Sequence, residues 1–144
     1  MAEKEKQVSP QEEIQKEYAR LSLLRERASQ LAARQRVLIA RMSELENSIK
    51  ALNELKEKAG ETLIAIGSDV YVKCNVNREK VIINVGAGVC VEKHMSEAIK
   101  LLEEKKEKLR KALEEINREI ERLAPLIAES EERLAKLASS ISGK

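Results

Sequence analysis

The sequence predicts a mainly α protein with a small β region: a long antiparallel coiled-coil helical hairpin carrying two central β-hairpins between its helices. Three observations lead there. A seven-residue apolar repeat runs through both ends of the chain, the apolar period falls to two in the middle, and the composition is rich in charge and nearly free of aromatic rings.

Of the 144 residues, 36% are charged, none is Trp or Phe and only two are Tyr. Such a chain poorly supplies a compact core and suits helices that bury a narrow seam and keep the remaining surface wet. Lys and Arg number 27 against 25 Asp and Glu, and the signs are interleaved, so no strong overall field draws nucleic acid or anionic lipid. "MAEKEKQVSP" is too charged for a secretory signal, and no apolar run approaches the roughly 18 residues of a membrane span. A cytoplasmic location is expected.

Residues 1–10 are expected to be a flexible amino terminus and residues 11–60 a first helix. Its seam runs through Ile14, Leu21, Ala28, Gln35, Met42, Ile49 and Lys56, alternating with Glu17, Leu24, Leu31, Leu38, Leu45, Leu52 and Ala59. Only Glu17, Gln35 and Lys56 break it, and neither Gly nor Pro falls between Gln11 and Ala59. So sustained a repeat predicts a coiled-coil helix roughly 70 Å long.

Residues 61–93 switch to period two. Val70, Val72, Cys74 and Val76 share one face, and Tyr71, Lys73, Asn75 and Asn77 the other. Four strands, about 62–66, 69–76, 80–85 and 89–93, fit two hairpins turning at Gly67-Ser68-Asp69 and Gly86-Ala87-Gly88, with a connection at Asn77-Arg78-Glu79. The "VGAG" run superficially suggests a phosphate loop. It lacks a third glycine and the helix that should follow at once, so Gly86 and Gly88 read as turn residues supplying positive φ.

Residues 94–142 repeat the helical pattern. Met95, Leu102, Leu109, Ile116, Leu123, Ser130 and Leu137 alternate with Ile99, Lys106, Leu113, Ile120, Ile127, Leu134 and Ile141, and a cap is expected between His94 and Ser96. Two stripes of equal length joined by about 35 residues cover each other most simply by folding back antiparallel.

The β segment is too small to close a core, and its outer strands would expose unpaired backbone and valine-rich faces. Association through Val70, Val72, Cys74, Val76, Val81, Ile83, Val85, Gly86, Gly88, Val89 and Val91 is therefore expected, the hairpins of several subunits joining in a shared sheet or barrel. Helix, "TLIAIGSDVYVKCNVNREKVIINVGAGVCVEK", helix resembles the prefoldin family, specifically its archaeal-type alpha subunits. The resemblance implies a hexamer of two alpha and four beta subunits built on an intersubunit β-barrel. It also implies an ATP-independent holdase that grips unfolded polypeptides between coiled-coil tips and delivers them to a group II chaperonin.

The helix ends agree with gripping. Glu103 to Arg122 is charged at most positions off the seam, whereas Leu123 to Ser142 is not. Tyr18, Leu23, Val37, Ile39 and Leu126 lie off the seam, and a loosened end beyond Pro125 would add Leu21, Leu24, Leu134 and Leu137 as client-binding candidates. Arg20, Arg27, Arg34 and Arg41 recur every seven residues, and among them Arg41 alone is expected to find a carboxylate, near Glu119.

An enzyme is not expected. Asp69 is the only aspartate and His94 the only histidine, so no catalytic constellation can be assembled. Nor is a metal site or cofactor expected, because Cys74 and Cys90 lack the spacing and the histidines that zinc requires. Two rival functions share the helical pattern: a structural coiled-coil scaffold, and a nucleic-acid-binding coiled coil using the basic stretch from Arg25 to Arg41. The latter lacks aromatic platforms and a one-sign face, so no specific nucleic-acid partner is expected.

Overall fold

Ser9 and Pro10 open the first helix. The Ser9 hydroxyl accepts a hydrogen bond from the Glu12 amide at 3.3 Å, and its carbonyl accepts one from the Glu13 amide at 3.1 Å. Serine at the cap satisfies an otherwise orphaned donor, and proline at the first helical position loses nothing, since its missing N–H would have no partner there. A computed structural model describes residues 9–58 and 60–142. Most of the expected flexible amino terminus, residues 1–8, and the seam residue Ala59 lie outside the described residues.

The element order is α1 (Pro10–Glu57), β1 (Glu61–Gly67), β2 (Val70–Asn75), β3 (Lys80–Gly86), β4 (Val89–His94) and α2 (Met95–Ser142). Both helices have 48 residues, as the matched repeats require. The chain divides into two compact units, one joining the stretch up to Leu38 with the stretch from Ala112 onward, the other being Ile39–Lys111.

In the first unit α1 and α2 run antiparallel. Partners on α2 fall from Ser130 to Asn117 as those on α1 rise from Glu17 to Gln35. Leu21, Leu31 and Ile116 are buried, and Ile14, Leu24, Ala28, Leu38, Leu113, Ile120, Leu123, Ile127, Leu134 and Leu137 are half-buried, which is the predicted seam. Ile141 departs from it and lies exposed.

The polar seam breaks at Glu17, Gln35 and Ser130 find polar partners across the helix pair. Ser130, 1% exposed, donates from Oγ to Glu17 Oε1 at 2.7 Å, and Gln35 Nε2 donates to Asn117 Oδ1 at 2.7 Å. A buried polar group is tolerated only when its hydrogen bond is made, so each pair stabilises one alignment and penalises a slipped one. This alignment corrects the arginine expectation. Glu119 is held by Arg27, with Nε at 3.0 Å and Nη2 at 2.6 Å from Oε1, not by Arg41, which lies 14 residues further along. Heptad periodicity alone is blind to a slip of whole heptads; the polar matches fix it.

In the second unit Met42, Leu45, Ile49 and Leu52 continue the α1 seam, and Lys106 meets Glu46 at 3.2 Å. At the end of α1 the expected seam residue Lys56 is exposed and Leu55 is half-buried instead. Leu55 and Ala51 line a groove of about 310 Å³ with Thr62, Leu63 and Ile64 of β1. Met95, Ala98 and Ile99 are buried at the start of α2, which follows β4 with no intervening residue. In place of a side-chain cap, the Met95 amide donates to the Glu79 carbonyl at 3.0 Å.

The strands form two separate two-stranded antiparallel sheets, β1–β2 and β3–β4. Their ladders repeat with an offset of 19 residues: Glu61↔Asn75 recurs as Lys80↔His94, and Gly67↔Val70 as Gly86↔Val89, with the register shift falling between Ala65 and Gly67 in one and between Asn84 and Gly86 in the other. Only the turns differ. Ala87 (φ 52°) and Gly88 (φ 75°) are both left-handed, matching a two-residue primed turn, whereas in the first turn it is Asp69 (φ 60°) that is left-handed. Gly86 and Gly88 take the positive φ expected of them, and Ala87 adds a strained position of about 1–2 kcal/mol.

Candidate functional site

Fifteen large apolar side chains lie exposed on the described residues, and nine of them fall between Leu63 and Val89. The hairpins thus concentrate the uncovered apolar surface. Cross-strand partners explain how it is arrayed. Thr62 pairs with Cys74 and Ile64 with Val72 on one face of the first hairpin, and Ile83 pairs with Val91 on the corresponding face of the second. This face is the better covered. Val76, Val81, Ile83, Val91, Thr62 and Cys74 are half-buried, while Ile64 and Val72 are exposed.

The opposite face and the turn ends carry the most exposed side chains. Ile82 is 75% exposed, Ile66 66%, Leu63 61% and Tyr71 61%, with Val70, Val85 and Val89 exposed beside the turns. Sequence reasoning nominated Val70, Val85 and Val89 but missed Leu63, Ile64, Ile66, Tyr71 and Ile82. The period-two alternation is clean in β2 alone; in β1 and β3 the apolar residues are consecutive, so both faces are apolar. Gly86 and Gly88 shape the turn and have open space around them.

On the helices, Tyr18, Leu23 and Val37 are exposed on α1 and Leu126 on α2 in the first unit, and Ile39 is exposed in the second. Leu23 lies five residues from Tyr18, roughly 140° around the helix, so these two do not share a face. The other four candidates are seam residues. Leu21 is buried, Leu24, Leu134 and Leu137 are half-buried, and α2 continues through Pro125 to Ser142 although Pro125 deprives the Glu121 carbonyl of its usual donor. The expected loosening beyond Pro125 is thus not part of this structure. Leu137 lines an open groove of about 460 Å³ with Glu13, Lys16, Glu17, Arg133 and Lys136.

The ion pairs Arg25–Glu131 at 2.9 Å and Arg27–Glu119 at 2.6 Å are about half exposed, and such pairs contribute less than about 1 kcal/mol each. Two hydrogen-bonding nitrogens of Arg110 hold the Glu107 carboxyl below its usual range. Among the described residues no His, Cys, Asp and Glu cluster is placed to hold a metal ion, and no helix is long and apolar enough to cross a membrane. Cys74 is half-buried and Cys90 exposed, both as free thiols.

Paired long helices around two small hairpins, with apolar surface concentrated on the hairpins, are the setting for the comparisons with known proteins. The family model described as prefoldin subunit matches residues 24–140. The chain belongs to the prefoldin family. Prefoldin subunit alpha of Methanosarcina acetivorans is 33% identical over 132 residues, covering 88% of this chain and 93% of the relative. The same subunit of Methanosarcina mazei is 31% identical over the same length and coverage. Filamentous prefoldin from Methanocaldococcus jannaschii, solved by cryo-electron microscopy, shares the fold with a TM-score of 0.65 at 24% identity, over 78% of this chain and 95% of that one. Prefoldins are a chaperone family, and the surfaces above are those of a prefoldin-family chain.

Proposed function

We propose that this chain is the alpha-type subunit of a prefoldin hexamer, two alpha with four beta, that holds unfolded polypeptides without ATP and hands them to a group II chaperonin. The observation that carries the reading is the exposed apolar set from Leu63 to Val89 on two hairpins whose sheets stop at two strands. Strand edges left unpaired in water are a template for further pairing. Burying a Leu, Ile or Val side chain contributes about 1.5–3 kcal/mol, so several per hairpin amply offset association costs. Hairpins of neighbouring subunits then complete a shared barrel through Val70, Val72, Cys74, Val76, Val81, Ile83, Val85, Val89 and Val91, joined by Leu63, Ile66, Tyr71 and Ile82.

Client capture falls to the helices. Tyr18, Leu23, Val37, Ile39 and Leu126 offer isolated apolar contacts, each weak, which act together when several arms surround one client. Leu21, Leu24, Leu134 and Leu137 join them if the seam opens.

The assembled protein should suppress aggregation of a chemically unfolded, unrelated protein at stoichiometric amounts without nucleotide. A coiled-coil spacer would leave aggregation unchanged, and that result would remove the holdase reading.

A further inference from the structure

Residues three and four apart on a helix share a face, and Arg20, Leu23, Arg27, Arg34 and Val37 fall on one such line along α1. Leu23 is 68% and Val37 65% exposed, so the line alternates guanidinium and apolar contacts. The Arg27–Glu119 ion pair fixes what stands across the helix pair. One heptad back on α1 and one forward on α2 puts Leu126 opposite Arg20; the reverse step puts Ala112 opposite Arg34. Neither arginine therefore meets a carboxylate in the place where Arg27 meets one. Among the described residues neither forms an ion pair, although Glu115 lines a cleft with Arg34.

Along the α2 flank of this side, Arg122 and Arg133 accompany Glu115, Glu119 and Glu129. Glu119 is already engaged by Arg27, and Glu129 by Arg133 at 2.7 Å. With Glu13, Lys16 and Lys136, which line one groove with Arg133, seven cationic side chains thus stand against four glutamates, two of them engaged in ion pairs. The other side of the helix pair differs in sign: Arg25 and Arg36 accompany Glu114, Glu121 and Glu131. One side of the first unit carries surplus positive charge interleaved with apolar residues, and the other does not.

We infer that the Arg20–Leu23–Arg34–Val37 side, with Leu126, is a docking face for acidic amphipathic polypeptide segments, those that place glutamate or aspartate beside leucine-like residues at helical spacing. The assignment rests on the client-holding reading and names the client class that this surface prefers. Charge complementarity selects it: an acidic segment supplies the carboxylates that Leu126 and Ala112 withhold, while its apolar residues cover Leu23, Val37 and Leu126. A basic segment with the same apolar residues meets like charge instead.

The test uses full-length chain assembled with a beta-type subunit and two synthetic peptides of identical leucine pattern, one flanked by glutamate and one by lysine, followed by fluorescence anisotropy. The acidic peptide should bind about five-fold or more tightly than the basic one, with a preference that fades in high salt. Arg20→Glu with Arg34→Glu should abolish or invert the preference, while Arg36→Glu on the other side leaves it. Equal binding of both peptides, or a preference untouched by the Arg20 and Arg34 changes, overturns the inference while client holding survives. Failure of either peptide and of an unfolded protein to bind counts against both. Salt-sensitive binding of random duplex DNA in competition with the acidic peptide would make the face a general polyanion site and also overturn it.

Discussion

The helical pair near the chain termini and the hairpins between the helices treat apolar residues in opposite ways. In the first, nearly every seam residue from Ile14 to Leu137 finds cover within the chain, and the polar breaks at Glu17 and Gln35 find Ser130 and Asn117. In the second, most isoleucines and valines stay in water, because a two-stranded sheet has no second layer to pack against. The difference separates a region that covers its own apolar residues from one that leaves them uncovered. Hydrophobicity alone does not distinguish them; the availability of a facing element does.

The largest effect that would sharpen this contrast comes from replacing Leu63 and Ile82 by serine. Being 61% and 75% exposed, they contribute little to the chain alone, so helical content by circular dichroism should persist while assembly weakens by about ten-fold or more per residue in light scattering. Leu31→Ala should do the reverse. It removes a side chain 2% exposed and should cost about 2–5 kcal/mol in denaturant unfolding, leaving hairpin association intact.

A smaller loss, about 1 kcal/mol, is expected for Ser130→Ala, which leaves a Glu17 oxygen without its donor. Replacing both by leucine should instead raise the unfolding midpoint while loosening the alignment, visible as altered cross-linking between α1 and α2. Ala87→Gly, relieving a left-handed alanine, should gain up to about 1 kcal/mol of hairpin stability by amide exchange.

Smallest is the pH effect at Glu107, whose carboxyl is held low by hydrogen bonds from Arg110. A folded-state value below the unfolded one means the contribution is present above the unfolded value and is lost as pH falls through the folded one. A carboxyl titration by NMR should place Glu107 below the ordinary glutamate value, and Arg110→Gln should raise it.

The helices were legible in the sequence because a heptad repeat reports a local period that a single partner helix satisfies. Ser9-Pro10 also marks the start of α1, one residue before the boundary expected at Gln11. Strand positions and the Gly86–Gly88 turn were legible for the same local reason. What escaped were the relations periodicity does not encode. Arg27 rather than Arg41 holds Glu119 because alignment depends on the Glu17–Ser130 and Gln35–Asn117 matches. Leu55 replaces Lys56 where the helix gives way to β1. On the hairpins, the consecutive apolar residues Leu63, Ile64 and Ile66 belong to both faces, so reading one alternation found only part of the surface.

Mass measurement in solution tests the contrast most directly. Mixed with a beta-type subunit at working concentrations, the 16.2 kDa chain should appear only in particles several times that mass, and serine at Leu63 and Ile82 should release it. A chain that remains at 16.2 kDa in the mixture, folded and with its hairpins protected from exchange, would show that the hairpins are complete by themselves and contradict the account.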